Sequence, residues 1–258
     1  MPRGRPPQIG RCIYCGTTDP PLTKEHIIGR AIGGDLVLGR AACERHAAVT
    51  SQIERSVFGE TWLAPRLALG FRTARRQRRP AKFPLKITRG ENEVTVDVPV
   101  EDFPAVLSFP VLDPPGRLLG REPTDQITIR GTVQVVVGRA TLEDFTRKQG
   151  AKSVAVTVTF VGHAFARMLA KVGYAFAVWA SAQGTIPPIG EVYVLPAILG
   201  TASDVGTWVG SAPDTQLANT AHRHALTLWI HQGEIFVRLA LFAQFGAPEY
   251  LVLVGRVA

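Results

Sequence analysis

Two short pairs of metal-ligating residues constrain this sequence more than any other feature. The first pair is Cys12 and Cys15 in Cys-Ile-Tyr-Cys, and the second is Cys43 and His46 in Cys-Glu-Arg-His. Both thiolates of a C-x-x-C turn can point at one ion, and residues three apart share a helix face. The alternative is a set of unligated buried cysteines. Three sulfurs and one imidazole predict a closed, tetrahedral, structural zinc site.

Disulfide bonds are a poor explanation for these cysteines. The chain has 3 cysteines, and an odd number cannot form a closed set. The start, MPRGRPPQIGR, has no apolar run, so we expect no secretory signal peptide and a cytoplasmic protein. The most apolar stretch, Phe160 to Ala182, carries His163, Arg167 and Lys171 at four-residue spacing. That spacing favours a core helix with one wetted edge over a membrane span.

The residues between the two ligand pairs predict a strand, a loop, a second strand and a helix. "EHII" is a short β-like run, "GRAIGGD" carries turn glycines, and "LVLG" can return as a strand. From about Arg40, "RAACERHAAVTSQIERSVFG" has helical spacing and ends near Gly59. A bound zinc would join the cysteine turn to the helix start, in a unit too small to fold securely alone.

This order of motifs resembles the zinc-containing HNH endonucleases of the ββα-metal fold, over about Gly10 to Gly59. In that family an acidic-His pair at a strand end lies between the two ligand pairs. The resemblance implies that His26 is a general base that activates water and that Glu25 helps to hold a catalytic Mg or Mn ion. It also implies structural zinc at Cys12, Cys15, Cys43 and His46.

The chemistry of phosphodiester hydrolysis suits these residue types. An imidazole that titrates near neutral pH can deprotonate water, and a divalent cation screens charge on the transition state. Adjacent side chains of a regular strand point to opposite faces. Glu25 and His26 can therefore face one phosphate only if the backbone bends there.

One position departs from the family pattern. The residue after the last zinc ligand is often an asparagine that binds the catalytic ion, but here it is Ala47, which coordinates nothing. Thr50 and Glu54 lie about 60° and 20° from the Ala47 direction around the helix. We expect them to complete the catalytic site, Glu54 either directly, through water or by orienting His26. The alternative is an ordinary polar helix face.

Charge is unevenly distributed along the chain. Residues 1–90 hold 17 Lys and Arg against 6 Asp and Glu, a net charge of +11, whereas residues 91–258 have a net charge of −3. Phosphate contacts release counterions, so a basic run predicts nucleic-acid binding, although a solvated linker is the alternative. The candidate contacts are Arg72, Arg75, Arg76, Arg78 and Arg79.

The remainder of the chain predicts a larger, mainly antiparallel α+β domain of unknown role. Short β-rich stretches from "FPLKITR" to "SVAVTVTFV" precede the apolar helix, and a hairpin turning at Gln232-Gly233 precedes a last strand, "EYLVLVGRV". His222 and His224 share a strand face, but packing is favoured over a second metal site. The predicted organisation is an α+β chain with a zinc-stabilised ββα-metal nuclease module at 1–60, a basic segment at 61–90 and an accessory domain at 91–258.

Two functions fit these features. The first is a metal-dependent endonuclease that cuts DNA, steered by the arginine run. The second is a non-catalytic, zinc-stabilised nucleic-acid-binding or regulatory protein. Because a binding module needs no acid-base pair, Glu25 and His26 favour the first. We expect DNA as the partner, no membrane contact, and possible self-association through residues 91–258.

Overall fold

The structure is a computed structural model that describes residues 5–71, 80–139, 141–156, 158–214, 218 and 220–258. It combines helices with antiparallel sheets, which confirms the predicted α+β class. The predicted nucleic-acid contacts Arg72, Arg75, Arg76, Arg78 and Arg79 lie outside the described residues. The helices are α1 (Glu44–Ser56), α2 (Leu63–Ala68), α3 (Leu142–Gln149), α4 (Gly162–Ala182), α5 (Leu195–Leu199) and α6 (Val205–Trp208).

The described strands form small antiparallel sheets. They pair as β1-β2, as β4-β3-β7, as β5-β6, and as β10-β11-β12-β8 with β9 also paired to β12. The strands are β1 (Leu22–His26), β2 (Val37–Cys43), β3 (Lys82–Arg89), β4 (Asn92–Pro99), β5 (Ala105–Leu112), β6 (Ile129–Val137), β7 (Ser153–Ala155), β8 (Ile189–Val192), β9 (Val209–Ser211), β10 (His224–His231), β11 (Glu234–Leu241) and β12 (Tyr250–Val257).

The N-terminal segment has the predicted order of strand, loop, strand and helix. The boundary between β2 and α1 differs, because α1 begins at Glu44 rather than near Arg40. Residues 40–43 instead continue β2, where Ala42 pairs with Thr23 and Cys43 with Leu22 of β1. Strand pairing and burial of Ala42 therefore override the helical propensity of this stretch.

Helix α4 is the central element of the molecule. It spans Gly162–Ala182, within the apolar stretch for which a core helix was expected, and packs against both α1 and the sheet strands β11 and β12. Gly173 allows close approach, since a Cβ there would lie 2.9 Å from Val252. One continuous cluster of buried side chains runs from the cysteine turn through α4 to β12. The N-terminal segment thus shares its core with the rest of the chain.

The predicted wetted edge of α4 is wrong at Lys171. His163 is exposed, but Lys171 is only 1% exposed because two carboxylates and two backbone carbonyls surround its ammonium. Within the described ranges, no helix combines the length and apolar character required to cross a membrane.

The predicted hairpin is confirmed, and one predicted strand is shorter than expected. Gln232 and Gly233 connect β10 to β11, with φ values of 50° and 79°. Among the described residues of the stretch "SVAVTVTFV", Ser153–Ala155 form a strand, which pairs with β3.

Candidate metal centre and strand-end site

The predicted metal ligands converge on one point. The donor atoms of Cys12, Cys15, Cys43 and His46 all lie within 4.8 Å of one another. Nδ1 of His46 is 3.1 Å from Sγ of Cys43 and 3.6 Å from Sγ of Cys12. Tetrahedral zinc, with bonds of about 2.3 Å to sulfur and about 2.0–2.1 Å to nitrogen, would space a thiolate and an imidazole nitrogen by roughly 3.6 Å, so these donors fit a metal ion. In the described part of the chain, no other group of His, Cys, Asp and Glu converges in this way.

The fold holds this cluster from three sides. A tight turn carries Cys12, whose carbonyl accepts from Gly16 N–H at 2.8 Å. Cys43 ends β2, and His46 lies in the first turn of α1. The pKa of His46 is lowered by burial and by neighbouring Arg45. A lowered pKa favours the neutral imidazole that binds metal.

Backbone irregularity accompanies the predicted acid-base pair. The register of β1 on β2 shifts between Thr23 and Glu25, but Glu25 and His26 themselves pair in regular register with Leu38 and Val37, so the bend expected between these two residues is not seen. Glu25 is buried, at 4% exposed, whereas the His26 side chain is half-buried at the end of β1. Both residues contact the buried Lys171 ammonium, Glu25 through its carboxylate and His26 through its backbone carbonyl.

A lysine from α4 lies between the two predicted catalytic carboxylates. Nζ of Lys171 is 2.7 Å from Oε1 of Glu25 and 2.9 Å from Oε1 of Glu54. The same ammonium donates to the carbonyl of His26 and lies 3.4 Å from that of Ile27. Four oxygen atoms therefore surround one buried cation. Glu25 and Glu54 do come together, as predicted, but around an ammonium group.

The three buried charges are not equally stabilised: the Lys171 ammonium gains from both carboxylates, whereas the pKa of the Glu25 carboxyl remains raised, first by burial and also by nearby Glu54. Burial acts to lower the pKa of Lys171, but Glu25 and Glu54 outweigh it and raise that pKa above its usual range. Burial raises the pKa of the Glu25 carboxyl, and Lys171 opposes that rise. An ammonium held by two carboxylates stays protonated at neutral pH.

The environment of His26 is electropositive. Its pKa is lowered first by burial, then by the positive charges of Lys171, Arg30 and Lys24, while Glu54 opposes them. Lys24 and Arg30 are both exposed, on either side of His26 along the chain. Its Nδ1 is buried and has no hydrogen-bond partner among the described residues. At neutral pH the imidazole is therefore uncharged and lies beside two exposed cations.

The remaining predicted residues have local partners. Thr50 is buried, and its hydroxyl donates to the Ala47 carbonyl at 3.3 Å within α1. Glu54 lies close to the loop after β1, since a Cβ on Gly29 would be 2.8 Å from its Oε2. Gly29 is thus required for the loop to approach this carboxylate.

The prediction that His222 and His224 share a strand face is wrong, because β10 begins at His224 and His222 lies before it. Neither belongs to a group of converging metal ligands among the described residues. Nε2 of His224 is 2.9 Å from the Ile32 carbonyl, and its Nδ1 accepts from Phe242 N–H at 3.2 Å. Burial lowers the pKa of His224 to about 4. Through these two hydrogen bonds the His224 imidazole connects the N-terminal loop to the sheet of β10, β11, β12 and β8.

Comparison with family models, with curated proteins and with solved structures finds no match for this chain. What is shown at the N-terminus is therefore a Cys3His cluster that could bind a metal, within a strand-loop-strand-helix segment.

The residue that sequence reasoning missed is Lys171. Its signal was a lysine within the most apolar helix of the chain. A buried ammonium requires carboxylate partners, and Glu25 and Glu54 were already candidates for a shared site. A second residue, Tyr174, lies one turn further along α4 and donates its hydroxyl hydrogen to the Ile13 carbonyl in the cysteine turn.

Proposed function

We propose that this chain is a cytoplasmic, zinc-stabilised protein that binds DNA phosphates through the end of β1 and the basic segment beyond α2. The observation that carries the proposal is the pair of exposed cations, Lys24 and Arg30, beside the half-buried His26. Cationic side chains around a neutral imidazole attract a phosphate group. The net charge of +11 on residues 1–90 extends the same attraction along the chain.

The zinc ion in this proposal is structural. All four donors would be used by one tetrahedral ion, which leaves no open position for a substrate. Zinc would hold the cysteine turn against the start of α1 and so fix the loop that carries Arg30. Metal and DNA binding are then linked through folding.

Binding without hydrolysis is the better-supported version. Ala47 offers no ligand, and the Glu25 and Glu54 carboxylates already share the Lys171 ammonium. Catalysis is not needed to account for Glu25, because its carboxylate neutralises the buried ammonium of Lys171. A structural role explains the pair of Glu25 and His26 only in part, since His26 makes no ion pair among the described residues.

A metal-dependent endonuclease that cuts DNA, with Mg or Mn as its catalytic ion, is the second candidate, and His26 is the observation that favours it. Its lowered pKa keeps the imidazole neutral at pH 7, the form that accepts a proton from water. In this version His26 removes the proton, while Lys24 and Arg30 orient the phosphate. Glu25, Glu54 and Thr50 would hold the strand end and helix in place.

Self-association through residues 91–258 is a separate part of the proposal. Val94 on β4 and Ile129 and Val136 on β6 are large apolar residues that are 37%, 44% and 37% exposed. These residues belong to two different sheets, and single exposed apolar side chains are ordinary on a protein surface, so self-association rests on the measurement that follows and not on these residues. Light scattering after size exclusion would show a mass above 27.9 kDa if the chain self-associates.

Two assays on zinc-loaded protein test the proposed function. Fluorescence anisotropy with duplex and single-stranded DNA measures binding, and supercoiled plasmid with Mg, Mn or EDTA measures cleavage. Lys24→Gln with Arg30→Gln should weaken binding. Arg121→Gln with Arg147→Gln is the matched control, since each of these exposed arginines pairs with a carboxylate far from the site in sequence.

The outcomes separate the two candidates. Binding without nicking in any metal supports the binding protein. Nicking that His26→Ala removes by a factor of about 10² or more, with affinity unchanged, supports the endonuclease. Absence of binding to both forms of DNA rejects both candidates.

A further inference from the structure

The catalytic divalent cation implied by the family resemblance does not fit the residues present. The predicted ligands are Glu25 with either Thr50 or Glu54, because Ala47 offers none. Both carboxylates instead meet the ammonium of Lys171, at 2.7 and 2.9 Å. A divalent ion between them would lie within van der Waals contact of Nζ, and two cations cannot share that position.

The spacing of the oxygen atoms suits an ammonium group. Charge-assisted N–H···O bonds have lengths of about 2.7–2.9 Å, as seen here for Glu25 and Glu54. Metal–oxygen bonds are shorter, about 2.0–2.1 Å for Mg and about 2.3–2.6 Å for Ca. The carbonyls of His26 and Ile27 complete the surroundings of Nζ.

The burial of Lys171 and Glu25 also opposes binding of a hydrated metal ion between the two carboxylates. The side chains of Lys171 and Glu25 are 1% and 5% exposed. Mg usually keeps several water molecules when it binds protein, and such a shell needs open volume. Of Lys171, Glu25 and Glu54, only Glu54, whose side chain is 20% exposed, has appreciable contact with solvent.

We infer that the Lys171 ammonium is a built-in substitute for the divalent cation, holding Glu25, Glu54 and the end of β1 together without metal. The inference deepens the proposed function and rests on it. The endonuclease candidate and the family resemblance behind it give the position at which a cation is expected. It assigns Lys171 a positioning role: the lysine fixes the carbonyl end of β1 and thereby the placement of His26. The zinc cluster is then the one metal site of the residues that the structure describes.

Removing the lysine side chain should reveal the latent cation site. Lys171→Ala leaves two facing carboxylates and two carbonyls with no cation, which is a set of hard oxygen donors suited to Mn, Mg or Ca. Mn is the probe, because electron paramagnetic resonance distinguishes bound from free Mn. The full chain is loaded with zinc first, so that Mn does not report on the cysteine cluster.

The wild-type protein should show no bound Mn and no Mn-dependent change in Tm. Lys171→Ala should bind about one Mn and gain at least about 4 °C in Tm at a hundredfold excess over Kd. Glu25→Gln added to Lys171→Ala is the matched control and should abolish both effects. A Lys171→Ala protein that folds only when Mn is present supports the inference equally.

Two results would overturn the inference. One is Mn bound by the wild-type chain and lost in Glu25→Gln, because the lysine would then not occupy the cation position. The other is folded Lys171→Ala that binds no Mn. If Lys171→Ala fails to fold with or without Mn, the wild-type measurement alone decides. None of these readouts uses DNA, so a failure of DNA binding is distinguishable from a failure of this inference.

Discussion

Lys171 and Tyr174 lie one turn apart on α4 and contact opposite halves of the N-terminal segment. Lys171 donates to the carbonyl of His26 at the end of β1, and the Tyr174 hydroxyl donates to the carbonyl of Ile13 in the cysteine turn. Residues three apart share a helix face, so one face of α4 supports both the metal cluster and the strand-end site. Changes to that face should affect both.

The ion pair at Lys171 should contribute strongly to stability. Lys171→Met leaves Glu25 and Glu54 without their counter-ion, and we expect the free energy of unfolding to fall by about 3–5 kcal/mol. Lys148→Met is the control, because Lys148 is 62% exposed and pairs with Asp102 on the surface. That change should cost at most about 1 kcal/mol. Urea unfolding measures both, and equal effects would contradict the buried charge cluster.

Metal content should depend on His46 and not on other histidines. His46→Ala removes one of four donors, so the purified protein should hold less zinc and should melt at a lower temperature. His163→Ala, on the exposed start of α4, should keep its zinc. Elemental analysis of both variants provides the measurement. Native protein free of zinc, purified without chelator, would exclude the structural site.

Stability should fall as the pH falls below the ordinary range of histidine, because of His224. Its pKa is about 4 in the folded chain, against about 6.5 when unfolded. Between these values the unfolded chain binds more protons, so the free energy of unfolding decreases on acidification, by at most about 1.4 kcal/mol per pH unit. The contribution is fully present above the unfolded value.

A variant series isolates this histidine. His224→Gln should show a shallower loss of stability than wild type between pH 6.5 and pH 4, measured by urea unfolding. Leu226→Ala, on the same strand, controls for destabilisation that removes no titratable group. If His224→Gln and wild type have the same slope, the buried imidazole is not the group responsible.

The arginine run should govern the salt dependence of DNA binding. Neutralising Arg75, Arg76, Arg78 and Arg79 should weaken binding to unrelated sequences about equally, since phosphate contacts read no bases. Each lost contact to duplex should reduce the slope of log affinity against log salt by about 0.9. Arg121→Gln with Arg147→Gln should leave the slope unchanged. A wild-type slope in the neutralised variant would favour the solvated-linker interpretation.

Much of the N-terminal segment could be predicted because its signals are local. The spacing of Cys12, Cys15, Cys43 and His46 specifies four donors without knowledge of the fold, and they converge in the structure. The hairpin at Gln232 and Gly233 is likewise a two-residue signal. The first residue of α1 could not be predicted from local sequence, because it depends on the pairing of Ala42 and Cys43 with β1.

The strand-end site could not be predicted fully because its decisive residue is distant in sequence. Lys171 follows Glu25 by 146 positions, and nothing near either residue indicates the other. Helical spacing places Lys171 on the same helix face as His163 and Arg167, which predicts a solvent-exposed face. Only the packing of α4 against α1 brings the ammonium to the carboxylates, and that is a tertiary relationship.

The shared core has a consequence for how this segment could be transferred between proteins. A fragment ending at residue 60 would keep every zinc donor but would lose Lys171 and Tyr174, leaving the Glu25 carboxylate and the Ile13 carbonyl without these partners. Ile27 and Ile32, now fully buried in the continuous core, would lose part of their covering. The unit that would have to be transferred is therefore discontinuous in sequence. It consists of the N-terminal segment that carries the zinc donors together with α4, and recombination or domain shuffling would have to move both.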